Sequence, residues 1–309
     1  SYFKSKKCSW IVSIVCLLMV AGFVPVRAQE KPMAAIQADV KPAVPAPADE
    51  EKPTAALTVS ALNMYYNQGT VLSRNSLVIQ PSITIGYKDF SATLWGNLDT
   101  NPYPLNAPGT KSASHWTETD ATLAYSEAFG IVNTGVSYAY NANLGTSNNA
   151  TVSRDQHDLG AKLGLNTLLN PTLSVYYMID NSQRWYFLLG ISHTFEFNKM
   201  LSLKLAASAA YLASDVNPEE MDGTRNKIDG NGTVSAQKYN AFLDGVASVA
   251  LPVRATKHIT VTPSVAFAFP LCTDAENYMK YNSHTDASMS FSDKPSTFII
   301  YGVTASFSF

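Results

Sequence analysis

The final stretch of the chain alternates between two kinds of side chain. From Ile299 to Phe309 the odd positions are all apolar or aromatic, whereas the even positions from Gly302 to Ser308 are Gly, Thr or Ser. Successive side chains of a strand point to opposite faces, so this stretch predicts a strand with one apolar and one small polar face. Chain ends are usually polar and frayed. We therefore expect an apolar environment around Phe307 and Phe309, either a protein core or lipid.

The same two-residue period recurs after residue 55. It is clearest at 185–197, 201–211 and 259–269, where odd positions are apolar and even positions are mostly small or polar. No apolar run in this part approaches the length of about 18 residues that a spanning helix needs. The pattern predicts twelve strands. They lie at 57–66, 77–87, 90–98, 117–127, 131–141, 156–165, 172–180, 184–197, 201–213, 238–251, 258–270 and 296–309.

The connections between these strands differ in length. Brief connections follow the even-numbered strands, and longer ones follow most odd-numbered strands, at 67–76, 99–116, 142–155, 214–237 and 271–295. This layout is typical of an outer-membrane barrel with short periplasmic turns and long extracellular loops. We predict an all-β, transmembrane, antiparallel up-and-down barrel of about twelve strands, its last strand pairing with its first. A soluble β-sandwich would also alternate, but its loops need not segregate by length.

The first part of the chain has a different composition. Residues 1–28 combine a basic start, an apolar run at 10–24 and small residues before a cleavage point, which predicts a signal peptide. A membrane anchor is the alternative, although the run is short for one. Residues 29–55 are rich in Pro and Ala and predict a disordered periplasmic linker, with the barrel at 56–309.

Composition excludes several classes of function. Only 15% of residues are charged, against about 25% in typical soluble domains, and the net charge of −2 gives no basic face for nucleic acid. Cys272 is the one cysteine after the predicted signal peptide, so a disulfide or a Cys-based zinc site within the chain is not expected. The histidines lack metal-ligand spacing, and the acidic loop 214–237 lacks the distal Glu of a calcium loop. We expect neither a metal nor a cofactor.

The signal peptide, the alternating strands and the terminal Phe resemble bacterial outer-membrane proteins in general. More narrowly, the stretch QPSITIGYKDFSATLWGNLD at 80–99 and LNPTLSVYY at 169–177 are similar to TorF-like porins. The general resemblance implies that Phe307 and Phe309 form an assembly signal read by the barrel-insertion machinery. It also implies that lipid and lipopolysaccharide of the bacterial outer membrane surround the barrel. The narrower one implies a pore without naming a solute.

Parity assigns the side chains that face inward. If the odd face of the last strand meets lipid, nearly all charged residues within strands fall on the opposite face, which lines the lumen. The predicted lumen-lining residues are Trp95, Asn97, Asp99, Glu118, Asp120, Asp158, Lys162, Asp180, Arg184, Glu196, Lys204 and Asp244. The same parity turns Asn240, Phe242 and Phe298 inward. Tyr65 is expected instead in an aromatic girdle at the long-loop interface.

Acids outnumber bases in this set, which favours a lumen for cations or neutral polar solutes. The alternative is a network of salt bridges that fills the lumen, because twelve strands lie between barrels filled by side chains and barrels with water channels. We therefore predict a porin for small hydrophilic solutes. A plugged barrel with a structural or adhesive surface role is the second hypothesis. An outer-membrane lipolytic enzyme is the third, but His193 faces outward without a Ser partner, since Ser192 and Thr194 point the other way, so no enzyme activity is expected.

Overall fold

The computed structural model describes residues 52–100, 115–143, 155–179, 183–215, 226–283 and 289–309. The predicted signal peptide and nearly all of the predicted linker lie outside these ranges. The strands are β1 Thr54–Asn67, β2 Thr70–Tyr87, β3 Phe90–Asp99, β4 His115–Phe129, β5 Val132–Asn143, β6 Gln156–Leu165, β7 Thr172–Met178, β8 Arg184–Glu196, β9 Ser202–Ser214, β10 Asn226–Ile228, β11 Val234–Lys238, β12 Asn240–Ala250, β13 Val253–Arg254, β14 Ile259–Pro270 and β15 Phe298–Ser308. Within these ranges one α-helix, α1, spans Thr273–Tyr281.

Twelve of these strands form a closed antiparallel barrel. Each pairs with its neighbours in the order β1 to β9, β12, β14 and β15, and β15 pairs with β1 to close the ring. The twelve predicted strands correspond one to one to these barrel strands, which confirms the predicted fold. The remaining strands are a small hairpin, β10–β11, and the two-residue strand β13, which extends one edge of β14.

The seam between the first and last strands is tight. Its register runs from Ala56 opposite Ser308 to Leu62 opposite Gly302. The backbones of Ala55 and Phe309 also exchange two hydrogen bonds, each 3.0 Å long. A Cβ atom on Gly302 would lie 2.1 Å from the carbonyl oxygen of Ala61, so this position requires glycine. The predicted pairing of the last strand with the first is confirmed.

The outer surface of the barrel is apolar. On β15, the odd-numbered Ile299 and Tyr301 are 56% and 58% exposed, whereas the even-numbered Ile300 and Thr304 are 4% and 5% exposed. Large exposed apolar side chains recur on the other strands, and exposed aromatic residues surround the short-turn end. These are Tyr87, Phe90, Phe129, Phe195, Phe197 and Phe309. A closed barrel with such a surface spans a membrane, and the protein is an outer-membrane β-barrel. Within the described ranges, no helix is long and apolar enough to cross a bilayer.

The prediction of a long loop between the first two strands is wrong. The long connection expected at 67–76 is instead a two-residue turn, Gln68–Gly69, and β2 starts at Thr70. Both turn residues have positive φ, 48° and 76°, as a tight turn with the twist of a β-hairpin requires. The first two strands therefore extend as one long hairpin to the long-loop end of the barrel.

Two long connections contain structure that the strand pattern does not predict. Hairpin β10–β11 lies in the connection expected at 214–237, and α1 lies in the one expected at 271–295. The buried residues of α1 are Ala275, Tyr278 and Met279, spaced so that they share one face of a helix. That face is packed into the mouth of the barrel.

Candidate functional site in the barrel lumen

The tip of the β1–β2 hairpin folds into the barrel. The register of β1 with β2 is irregular between Leu62 and Met64 and again between Tyr65 and Tyr66. Such irregularities bend a strand and change the direction of its side chains. Tyr65 and Tyr66, which are consecutive, are both only 2% exposed. The prediction that Tyr65 belongs to an outer aromatic girdle is therefore wrong.

Three hydrogen bonds join this inward hairpin to separate parts of the wall. The hydroxyl of Tyr65 donates to Oε2 of Glu118 on β4 at 2.7 Å, and that of Tyr66 donates to Oδ2 of Asp244 on β12, also at 2.7 Å. Nη2 of Arg184 on β8 donates to Oε1 of Gln68 at 3.1 Å. Because β4, β12 and β8 lie in different sectors of the ring, the hairpin is held from several sides.

Helix α1 packs against the same hairpin. Tyr278 and Met279 are fully buried, and the amide of Val71 donates a 3.0 Å hydrogen bond to the carbonyl of Asn282 just after the helix. A Cβ atom on Gly69 would lie 3.1 Å from the Tyr278 ring, so the turn touches the helix closely. Hairpin and helix together form what we call the mouth plug, residues 62–73 and Thr273–Tyr281.

The small β10–β11 hairpin supports α1. Nζ of Lys227 forms a 2.7 Å ion pair with Asp274, and Nδ2 of Asn277 donates to the carbonyl of Ile228 at 3.1 Å. The aromatic rings of Tyr239 and Tyr278 also meet edge to face, with centroids 5.2 Å apart. Residues near both ends of this hairpin therefore help to fix the helix over the barrel opening.

One side of the lumen is filled by apolar side chains around the mouth plug. The buried side chains of this cluster are Met64, Tyr66, Val71, Met178, Tyr186, Ala210, Leu212, Tyr239, Leu243, Ala266, Ala268, Tyr278, Met279, Phe298 and Ile300. They come from β7, β8, β9, β12, β14 and β15, from Tyr239 just before β12, and from the plug. This apolar half resembles the core of a soluble domain and leaves water little room.

The opposite side of the lumen is polar. Nε2 of Gln80 donates to Oδ1 of Asn97 at 3.0 Å, and Nδ2 of Asn97 donates to Oγ1 of Thr117 at 2.6 Å. Asp99, buried to 2% exposure, accepts a hydrogen bond from the hydroxyl of Ser76 at 2.8 Å. These residues form a hydrogen-bonded polar wall on β2, β3 and β4, next to a small buried cluster of Leu62, Tyr65, Val78 and Trp95.

Three acids extend this wall towards β6. The carboxyl groups of Glu118 and Asp120 are in contact, and Asp158 is close enough to interact electrostatically with both. Asp158 accepts hydrogen bonds from Nδ2 of Asn141 at 2.9 Å and from Nε2 of Gln156 at 2.6 Å. Arg184 also interacts electrostatically with Asp158. The long-loop half of the lumen therefore holds a cluster of three acidic side chains.

The lysines occupy a different level. Lys162 on β6 pairs in register with Ser174, and Lys204 on β9 pairs with Thr194, in both cases towards the short-turn end. The two ammonium groups interact electrostatically with each other. Glu196, near the end of β8, is exposed at the same rim. Glu196 apart, the charged side chains are thus separated along the barrel axis, with the acids nearer the long loops and the lysines nearer the short turns.

The predicted lumen residues are distributed as follows. Trp95, Asn97, Asp99, Glu118, Asp120 and Asp158 lie in the polar half, and Trp95 packs its ring 5.8 Å from that of Tyr65. Asp244 and Arg184 contact the mouth plug, while Lys162, Lys204 and Glu196 lie nearer the short turns. Asp180 is outside the described residues. The role of this set as the lining of a pore stays a prediction.

One register irregularity reverses two further predictions. Between Phe242 and Gly245 the pairing of β12 with β9 shifts. As a result Phe242 contacts the ring of Tyr211, with centroids 5.3 Å apart, and Asn240 accepts a 2.7 Å hydrogen bond from the Tyr211 hydroxyl. Tyr211 in turn contacts Phe187, an odd-numbered residue of β8. Phe242 and Asn240 thus join the outward set, whereas Phe298 is buried in the lumen as predicted.

The remaining candidate residues lie on the outer face. Phe307 and Phe309 are 40% and 65% exposed, with their rings 5.4 Å apart. Nδ1 of His193 donates to the carbonyl of Leu168 at 2.7 Å, and its ring packs on Phe195. Among the described residues, no three His, Cys, Asp or Glu side chains are arranged to hold a metal ion.

Comparison with known proteins gives structural similarity alone. No protein-family model matches the chain, and no curated protein matches it significantly. The solved NanC porin aligns with a TM-score of 0.46 and 10% identity over 81% of this chain and 98% of its own. An outer-membrane channel from Pseudomonas putida F1 aligns with a TM-score of 0.44 and 10% identity, over 85% of this chain and 99% of its own. The P. putida toluene transporter TodX aligns with a TM-score of 0.35 and 10% identity, over 84% of this chain and 89% of its own. These values support no argument about a solute, and the narrower resemblance to TorF-like porins stays a prediction.

Proposed function

We propose that the protein is an outer-membrane channel for small hydrophilic solutes, with a path along the polar half of the lumen. One observation carries this proposal: the wall from Gln80 to Asp158 is lined by amide, hydroxyl and carboxyl groups, although the other half of the same lumen is an apolar core. A barrel that served only as a scaffold would have no need of buried acids there, because burying them is costly.

The charge arrangement suggests how such a channel would select. A cation entering from the long-loop side meets Glu118, Asp120 and Asp158 first, and then the level of Lys162 and Lys204. Acidic rings favour cations, whereas lysines favour anions. We expect a modest preference for cations and free passage of neutral solutes that fit. The proposal involves no chemistry on the solute.

A planar-bilayer recording tests this function. Purified, refolded wild-type protein should give discrete conductance steps, and a salt gradient should give a reversal potential of the sign for cation preference. Retention of the fold is checked by the shift in gel mobility between unheated and heated samples. If correctly folded protein produces no steps, and opening the mouth plug by substitution produces none either, the channel proposal fails.

The apolar half of the lumen favours a second candidate, a closed barrel with a structural or adhesive role at the cell surface. In the mouth plug, Tyr66, Val71, Tyr278 and Met279 are all at most 2% exposed and belong to one apolar cluster with the barrel wall. This candidate predicts silent bilayers for the wild type and for plug variants. It also predicts that changes in surface adhesion follow deletions in the long loops.

The partners of the proposed channel follow from its outer surface. Membrane lipid contacts the apolar belt, and we expect lipopolysaccharide around the long-loop end. Phe307 and Phe309 are the expected recognition element for the barrel-insertion machinery. Both side chains are exposed at the end of the closing strand, where such machinery could reach them before the seam forms.

A further inference from the structure

Two acidic side chains of the polar wall are hydrogen-bonded to each other. Glu118 and Asp120 are two residues apart on β4, so both side chains point into the lumen, where they are 9% and 8% exposed. Their carboxyl groups form a direct hydrogen bond. An ionised carboxyl group only accepts hydrogen bonds, so this bond requires a proton on one of the two. We call these two side chains the carboxyl pair.

Asp120 is the member of the carboxyl pair that holds the proton. Glu118 accepts two hydrogen bonds, one from the hydroxyl of Tyr65 at 2.7 Å and one from Asp120. Asn141 lies directly opposite Asp120 on β5, but its amide donates to Asp158. The proton of Asp120 thus supplies the donor for Glu118, and Glu118 is the acceptor of the pair.

The groups around the carboxyl pair make a further negative charge unfavourable. Among the described side chains, the titratable or charged ones on the lumen face nearby are Tyr65 from β1, Asp99 from β3, Asp158 from β6 and Arg184 from β8. Asp158 adds its negative field to the pair, whereas Arg184 interacts with Asp158. Loss of the proton would place two negative charges in contact, and such charges repel strongly in a partly buried site.

Tyr65 connects the carboxyl pair to the mouth plug. Its hydroxyl donates to Glu118, and its ring lies 5.8 Å from that of Trp95, which is directly opposite Asp120. Tyr65 also precedes Tyr66 in the hairpin tip. A separation of the two carboxyl groups would therefore disturb both contacts that hold Tyr65 against the polar wall.

We propose that the carboxyl pair is a proton-operated latch for the mouth plug. With the proton in place, the pair keeps Glu118 against Tyr65 and the plug is closed. When the O–H bond of Asp120 breaks and its proton passes to water, the two carboxylates repel, Glu118 moves away from Tyr65, and the hairpin tip loosens. The latch is closed below the pH at which the pair loses its proton and opens as the pH rises through it. The inference rests on the proposed function in one respect, that the loosened plug lets solutes pass.

Infrared difference spectroscopy of the whole barrel folded in detergent tests for the proton. The C=O stretching band of a protonated carboxyl group is separate from the bands of a carboxylate. The spectrum of wild type minus that of Asp120→Asn should show this band in acidic buffer and lose it in alkaline buffer. Glu127→Gln is the matched control on the same strand, because Glu127 accepts its hydrogen bond from Tyr125, and it should keep the band. Identical carboxyl bands in wild type and Asp120→Asn would overturn the proposal.

Quenching of Trp95 fluorescence by acrylamide tests the coupling to the plug without relying on conductance. The signal of Trp95 is the difference between a protein and the same protein with Trp95→Phe. Quenching should increase from acidic to alkaline buffer in the wild type, and stay low in Asp120→Asn, whose amide donates to Glu118 at every pH.

Tyr65→Phe separates the proton from its effect on the plug. This variant keeps the ring beside Trp95 but removes the hydroxyl that binds Glu118. It should therefore retain the carboxyl band while its quenching no longer depends on pH. Wild-type quenching that is equal in acidic and alkaline buffer, or a full pH dependence in Tyr65→Phe, would overturn the latch.

Single-channel recording distinguishes this proposal from the proposed function. The ratio of open to closed channels should rise roughly tenfold from acidic to alkaline buffer in the wild type and stay constant in Asp120→Asn. A protein that conducts equally at both pH values is a channel without a latch. A protein that shows pH-dependent quenching but never conducts has the latch and is not a channel. Gel mobility of each variant, compared between unheated and heated samples, shows that the fold is retained.

Discussion

Nη2 of Arg184 on β8 donates a 3.1 Å hydrogen bond to Oε1 of Gln68 at the tip of the β1–β2 hairpin. Four strands, β15, β14, β12 and β9, separate β8 from β1 along the shorter way around the ring. The hairpin tip therefore reaches across the barrel opening to a distant part of the wall. The position of the mouth plug depends on this contact, and its loss should free the hairpin tip.

Replacing Arg184 by Ala should release the hairpin and increase conductance. A hydrogen bond to a charged group contributes about 1.5–3 kcal/mol, so the ratio of open to closed channels should rise by roughly tenfold or more. Single-channel recording measures that ratio directly. Arg254→Ala is the matched control, because the Arg254 guanidinium binds the carbonyl of Lys199 at the short-turn end. Equal open probability in Arg184→Ala and wild type would contradict this role.

The separation of acids and lysines predicts opposite effects on selectivity. Glu118→Gln should lower the cation-to-anion permeability ratio, and Lys162→Gln should raise it. Each change should be roughly twofold to fivefold, since a unit charge at about 4 Å contributes about 1 kcal/mol in water. Reversal potentials in a salt gradient measure both ratios. A shift in the same direction for both variants would mean that ions do not pass these side chains.

Gly302→Ala should weaken the seam of the barrel. The new Cβ would lie 2.1 Å from the carbonyl oxygen of Ala61, and forcing such an atom into a packed site typically costs 1–3 kcal/mol or more. The temperature at which the folded gel band converts to the unfolded one should fall. Gly164→Ala is the control, because its Cβ would meet no atom closer than 3.6 Å. A normal transition in Gly302→Ala would show that β1 and β15 separate easily there.

Deletion of Phe309 should impair assembly more than it changes the pore. It removes an aromatic side chain that is 65% exposed to lipid and two backbone hydrogen bonds to Ala55, but no side chain of the lumen. The fraction of folded protein in membranes should drop, while the conductance of the molecules that do fold stays that of the wild type. Phe309→Tyr, which keeps the ring, should assemble normally. Normal assembly with a changed conductance would show that Phe309 acts on the pore and not on assembly.

The sequence predicts the barrel well because the alternation of apolar and polar residues reflects the two surroundings of each strand, lipid outside and the lumen inside. On β15 the odd positions meet lipid and the even positions meet the lumen, so from Gly302 to Ser308 the residue type reflects the face. Where both faces are buried, that signal disappears. The run from Leu62 to Tyr66 is mostly apolar because four of its five side chains are buried, and this loss of alternation is the sign of the bend in the sequence.

The hydrogen bonding of the polar wall could not be predicted from the sequence for a different reason. Parity places Trp95 and Asp120 on one face, but register alone does not show which polar atoms remain unpaired. Helix α1 could have been found, since Ala275, Tyr278 and Met279 have helical spacing and acids precede Lys280 along the segment. The contacts across the lumen, such as Tyr66 with Asp244, depend on barrel closure and have no local signature.

The first strand both closes the ring and carries the tip of the mouth plug. Tyr66 and Gln68 find their partners on β12 and β8, and those strands reach their final places around β1 once the ring is complete. Closure of the entrance therefore depends on closure of the ring, so a substitution that weakens the seam, such as Gly302→Ala, should also loosen the contacts of Tyr66 and Gln68 at the mouth.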